Sequence, residues 1–126
     1  MPASLEHVNI TVSDPKATAA VLIDLFDWKI RWEGVGMKTG YTVHVGTDTG
    51  YVALFSFGDP AEIKGDHFYL KGALNHIGIT VDDLDTTEAK VKAAGFETHS
   101  HADYEPGQRF YFNDHDGVEY EVVSYL

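Results

Sequence analysis

Residues 5–14 read Leu-Glu-His-Val-Asn-Ile-Thr-Val-Ser-Asp, and residues 74–83 read Leu-Asn-His-Ile-Gly-Ile-Thr-Val-Asp-Asp. Leu, His, Ile, Thr, Val and the closing Asp coincide, and Val8 is answered by Ile77. That many matches in register, at an offset of 69 residues, mark an internal duplication. Each copy alternates apolar and polar residues with period two, as a half-buried strand does. Val8, Ile10 and Val12 face one way, and His7, Asn9 and Thr11 the other. In the second copy Ile77, Ile79 and Val81 oppose His76, Gly78 and Thr80. Both histidines therefore fall on the polar face, away from the face that covers helices.

A helix is predicted after each strand. Asp14 or Ser13 caps the first, with Pro15 in its first turn and Val21, Leu22, Leu25 and Phe26 at helical spacing. The second runs from Asp83 to Ala94, with Leu84 and Val91 apolar and Gly95 as its stop. Three short strands complete each copy: roughly 29–33, 40–45 and 51–57, then 97–101, 109–112 and 119–124. The turns Thr47-Asp48-Thr49-Gly50 and Asp114-His115-Asp116-Gly117 carry hairpin-turn residues. The expected fold class is α+β, two βαβββ modules in one domain over 1–126. Module one covers about 5–57, a connector 58–73, and module two about 74–126.

The composition narrows the chemistry. The 126 residues hold no cysteine, which excludes disulfides, zinc–thiolate sites and thiol nucleophiles. Any metal must be held by nitrogen and oxygen ligands. A net charge of −11 repels phosphates, so no nucleic-acid partner is expected. The charge is compatible with a cationic ligand, although a merely soluble acidic surface accounts for it as well. No apolar run approaches the roughly 20 residues of a membrane span, so no membrane association is expected. The N-terminus lacks a basic stretch followed by an apolar one, and the expected compartment is the cytoplasm.

The chain resembles the vicinal oxygen chelate superfamily, which includes glyoxalase I, extradiol dioxygenases, methylmalonyl-CoA epimerase and bleomycin- or fosfomycin-resistance proteins. The resemblance spans nearly the whole sequence. It rests on the two His-containing strands and on Leu25-Phe26-Asp27-Trp28-Lys29-Ile30, similar to the family's "LGW-hydrophobic" helix exit. It also rests on Ala93-Ala94-Gly95-Phe96 and on the run from Phe110 through Gly117 to Glu121, similar to the family's "YFxDPDGNxxEL" ending. The resemblance implies mixed sheets curled around a cavity, with the helices outside, and often a homodimer. It implies metal ligands at His7, His76 and Glu121.

Glu119 and Glu121 share a strand face, so parity leaves both open, and the count of four from Gly117 selects Glu121. Glu119 is then expected nearer the cavity rim or solvent. The same count from Gly50 falls on Leu54, an apolar residue that lines the cavity or the core where glyoxalase I-like members hold a carboxylate. Two imidazoles and one carboxylate suit Fe(II) first, with Mn, Ni, Co or Zn as alternatives, and leave coordination positions open.

Other residues are weaker candidates. His44 aligns with Tyr111 when the two turns are superimposed, and either can serve in proton transfer or substrate contact. Arg109 can bind a substrate anion, although a surface charge is the plainer account. His99, His101, Tyr104 and Glu105 read as a loop before Arg109 that can contribute to a lid, while His67 and His115 read as connector and turn residues.

The implied function is a metal-dependent enzyme on a small substrate with adjacent oxygens, dioxygenase-like or lyase/isomerase-like. The alternative is a metal-free sequestering protein of the bleomycin-resistance kind.

Overall fold

The computed structural model describes residues 1–35, 39–104 and 107–126. The chain forms two compact units, Met1–Ala61 and Glu62–Leu126, one for each copy of the repeat. The first unit runs β1 (His7–Thr11), α1 (Pro15–Phe26), β2 (Lys29–Val35), β3 (Tyr41–Gly46) and β4 (Tyr51–Ser56). The second opens with a 3-10 turn at His67–Tyr69. It continues through β5 (Ile77–Thr80), α2 (Leu84–Ala93), β6 (Thr98–Tyr104), β7 (Gly107–Asn113) and β8 (Glu119–Ser124). The βαβββ order read from the sequence is the order of both units.

Each unit holds one four-stranded mixed sheet, ordered β1-β4-β3-β2 in the first and β5-β8-β7-β6 in the second. The opening strand pairs parallel with the closing strand, and the other pairings are antiparallel. One face of each sheet is covered by its helix. Pro15, Thr18, Ala19, Leu22 and Leu25 of α1 are buried at helical spacing, over Val43, Val45, Val52 and Leu54 of the sheet. In the second unit Val91 of α2 is buried, as are Phe110, Phe112, Tyr120 and Val122. No helix among the described residues is long and apolar enough to cross a membrane.

Two expectations change. His99 and His101 lie in strand β6, in keeping with the strand read at 97–101 and not with a loop before Arg109; the strand extends to Tyr104, and Glu105 lies outside the described residues. The strand read at 97–101 extends further than its pattern shows, because its register against β7 shifts between His99 and Ala102, with Ser100 at φ 56°. The shift breaks the period-two pattern. It leaves His99 toward the open face and brings His101 Nε2 to 2.6 Å from Glu88 Oε2 on α2.

The second change concerns the repeat alignment. The turn between β3 and β4 uses residues 47–50, whereas that between β7 and β8 uses 114–118, one residue more. Counting from the two glycines is therefore off by one. Asn9 pairs with Ala53, and its repeat equivalent Gly78 pairs with Glu121. The first-unit match of Glu121 is Ala53, not Leu54. Leu54 is fully buried and, two residues from Val52, shares its face toward the helix.

The caps are specific. The Asp14 carboxylate accepts from the Lys16 and Ala17 amides at the start of α1. Asp83 does the same for α2, accepting from Thr86 N at 3.0 Å and Thr86 Oγ1 at 2.8 Å. These bonds favour the ionised form and hold the Asp83 carboxyl below the ordinary aspartate range. Their contribution to stability is therefore complete above about pH 3.9 and is lost as pH falls through the lowered value. Asp83→Ala is expected to lower Tm at pH 7 and to flatten the acid limb of the Tm–pH curve. Asp83→Asn, which still caps, should recover most of the loss at pH 7. Thermal melts by circular dichroism from pH 2 to 7 check both.

Candidate functional site

The register that sets the faces also builds the site. In the second unit one row runs across the open face as Gly78, Glu121, Tyr111 and His99. His76 stands just before β5, and its Nε2 lies 3.0 Å from Glu121 Oε1. Its Nδ1 lies 2.7 Å from Asn75 Oδ1, which fixes the ring. Arg109 lies diagonally across the β7–β8 ladder and donates from Nη1 to Glu121 Oε2 at 2.7 Å. Both side chains of this ion pair are largely buried, at 10% and 13% exposure. The Tyr111 ring meets His76 edge-on at 5.7 Å. His99 Nε2 lies 2.8 Å from Asn113 Oδ1.

A cleft of about 480 Å³ opens on this unit, lined by Phe68, Asn75, His76, His99, Tyr111 and Glu119, among others. Glu119 is 6% exposed. It therefore sits in the cleft wall, deeper than the rim or solvent position expected from the sequence. Its neighbour in the ladder, Asn113, gives its carbonyl oxygen to His99 and its amide to Gly117 O at 3.3 Å.

In the first unit the equivalent row is Asn9, Ala53, His44 and Trp32. Ala53 and the Tyr51 ring stand in place of the two carboxylates of β8. His7 stacks on Tyr51 at 4.9 Å, Tyr51 on His44 at 4.6 Å, and Trp32 leans on His44 at 5.2 Å. Arg31 lies over the Tyr51 ring at 4.4 Å. His7 Nδ1 is 2.8 Å from Glu6 Oε1. Burial, and then the neighbouring His7 and Arg31, hold the His44 imidazole below the ordinary histidine range, so it is neutral near pH 7.

Two ligands about 2.1 Å from one ion and at right angles to it lie about 3.0 Å apart. The 3.0 Å between His76 Nε2 and Glu121 Oε1 suits such a pair, and imidazole nitrogen with carboxylate oxygen suits a divalent transition ion. Among the described residues no group of three or more His, Asp or Glu is placed to hold one ion. His7 lies in the other unit, with Glu6, Tyr51 and His44 as its neighbours. Sequence reasoning missed the Arg109–Glu121 pair. The signal was available: Arg109 is two residues from Tyr111, hence on the same face.

Removing one partner of a mostly buried ion pair strands the other. Arg109→Ala is expected to cost about 3 kcal/mol in urea unfolding. The double variant Arg109→Met with Glu121→Gln should recover much of it. Equal losses in the two would show that the guanidinium acts through its packing rather than its charge.

A profile of the Glyoxalase/Bleomycin resistance protein/Dioxygenase superfamily matches residues 4–122. No curated protein matches the sequence. Among solved structures, the glyoxylase/bleomycin resistance protein/dioxygenase domain from Frankia sp. EAN1pec superposes with a TM-score of 0.82 at 21% identity, covering 98% of both chains. The fosfomycin resistance protein FosX from Listeria monocytogenes, in complex with Mn(II) and sulfate, gives 0.74 at 19%, covering 98% of this chain and 93% of its own. TioX from Micromonospora sp. ML1 gives 0.69 at 19%, covering 98% of this chain and 100% of its own. These likenesses speak to the fold. With a duplicated βαβββ unit and a profile match over nearly its whole length, the chain belongs to the glyoxalase/bleomycin resistance protein/dioxygenase superfamily.

Proposed function

We propose that this protein is a metal-dependent enzyme acting on a small substrate with two adjacent oxygens, by dioxygenase-like or lyase- or isomerase-like chemistry. One observation carries the reading. His76 Nε2 and Glu121 Oε1 stand 3.0 Å apart on an open sheet face, the spacing of two neighbouring ligands of one ion. His7 holds the same repeat position as His76 and is the third ligand in this reading, supplied by the same chain or by a second copy in a homodimer. A divalent ion bound by these groups supplies Lewis acidity toward the substrate oxygens. Fe(II) is the first choice for the ligand set, with Mn, Ni, Co and Zn as alternatives. The Mn(II) in the Listeria FosX complex supports a divalent ion of this kind. A further FosX complex holds 1S,2S-dihydroxypropylphosphonic acid, which carries adjacent hydroxyls, and it supports the substrate class.

The chain's own groups have separate tasks here. Arg109 orients Glu121 and leaves Oε1 toward His76. Tyr111 donates a hydrogen bond to a substrate oxygen in the cleft. His44, neutral near pH 7, accepts a proton from a substrate held beside His7.

A second reading is a metal-free protein that sequesters a ligand. The observation favouring it is the Arg109 contact to Glu121 Oε2 at 2.7 Å, which already balances that carboxylate without an ion.

Metal analysis separates the two. Protein purified without chelator is expected to carry about one ion per chain, lost from both His7→Ala and Glu121→Ala. Wild type that carries none and takes up none of Fe(II), Mn(II), Ni(II), Co(II) or Zn(II) would overturn the enzyme reading. His44→Ala is expected to keep its metal, and losing it would make His44 a ligand.

A further inference from the structure

The cleft of the second unit contains a carboxylate that the ligand set does not use. Glu119 is 6% exposed and lines the cleft. None of the described residues hydrogen-bonds or ion-pairs with its carboxylate. The groups that would most readily serve it are committed. Asn113, opposite it in the ladder, binds His99 and Gly117. Arg109, a cation on the same sheet face, binds Glu121 and the Gly107 carbonyl. The His76 nitrogens face Asn75 and Glu121. Glu119 lines the cleft, so a cation that arrives with the ligand can pair with its carboxylate in partly desolvated surroundings. The walls beside it, Phe68, Tyr111, His76 and His99, are flat rings. They suit a planar ligand, and the Phe68 and Tyr111 faces favour cations.

We propose that Glu119 makes this cleft selective for small planar ligands that carry a primary amine, with the ammonium paired to its carboxylate. The assignment rests on the proposed function only for the adjacent oxygens; the amine preference needs no metal. Glu119 is here a specificity-determining residue, distinct in task from Glu121, although the two share one face of β8.

A matched series tests it: dopamine, 4-methylcatechol and 3,4-dihydroxyphenylacetate keep the ring and both oxygens and change only the charge of the tail. Titration calorimetry on the full chain, metal-loaded and metal-free, is expected to rank them in that order. Dopamine should lead 4-methylcatechol by about tenfold or more, the usual weight of a charge-assisted hydrogen bond. Glu119→Gln is expected to abolish the lead and Glu119→Asp to retain part of it. Glu97→Gln, which removes a charge from an exposed residue, is expected to retain all of it. Equal affinities in wild type, no detectable dopamine binding, or a lead that survives in folded Glu119→Gln protein would overturn the proposal. Should Glu119→Gln not fold, the wild-type order and the Glu119→Asp value decide it. Failure to take up metal sinks the enzyme reading but leaves the amine preference standing, so the two outcomes are distinguishable.

Discussion

In each repeat the opening strand pairs parallel with the closing strand, and that pairing assigns every side chain of the sheet to one of two faces. The assignment is strict because strands alternate with period two. A slip of one residue would send Glu121 into the core and Val122 onto the open face. The helix between the first and second strands prevents the slip, because its buried stripe packs only against the apolar set. Val43, Val45, Val52 and Leu54 are almost fully buried in the first unit, as are Phe110, Phe112 and Tyr120 in the second. The ionisable groups of the site are therefore held outward by the same packing that holds the apolar groups inward.

Much of this was legible in the sequence, because repeat and alternation are direct readouts of burial. Element order, the cap at Asp14, and the outward placement of His7 and His76 all follow from patterns a few residues long. What could not be read depended on pairings between distant strands. The Arg109–Glu121 ion pair, the depth of Glu119 and the position of Ala53 are set by ladder register. A turn one residue longer shifts that register without leaving a motif. The strand read at 97–101 runs on to Tyr104 as β6, and its end is hidden for a local reason: its bulge at Ser100 breaks the alternation that would mark it. Its polar composition, Thr-His-Ser-His-Ala-Asp-Tyr, offers no apolar stripe to count.

The two repeats share a backbone and differ in chemistry. Position by position across the open faces, Tyr51 stands where Glu119 does, Ala53 where Glu121 does, His44 where Tyr111 does and Trp32 where His99 does. One face is a ladder of stacked rings with Arg31 lying on it, while the other pairs acids with bases around a cleft. After duplication the buried face of each unit stayed constrained by its helix. The open face was free to diverge, because no packing partner within the unit held it.

The unequal turns bear on how such a scaffold can be rebuilt. An engineer placing a carboxylate on the open face of the first repeat, guided by the glycine count, would write Leu54→Glu and drive a charge among the aliphatic residues under α1. The ladder directs the graft to Ala53 instead, beside His44 and across from Asn9, where a carboxylate would emerge on the face that already presents His7. A transplant between halves of a duplicated protein has to follow strand pairing, since hairpins accept or lose residues while the sheet keeps its sides.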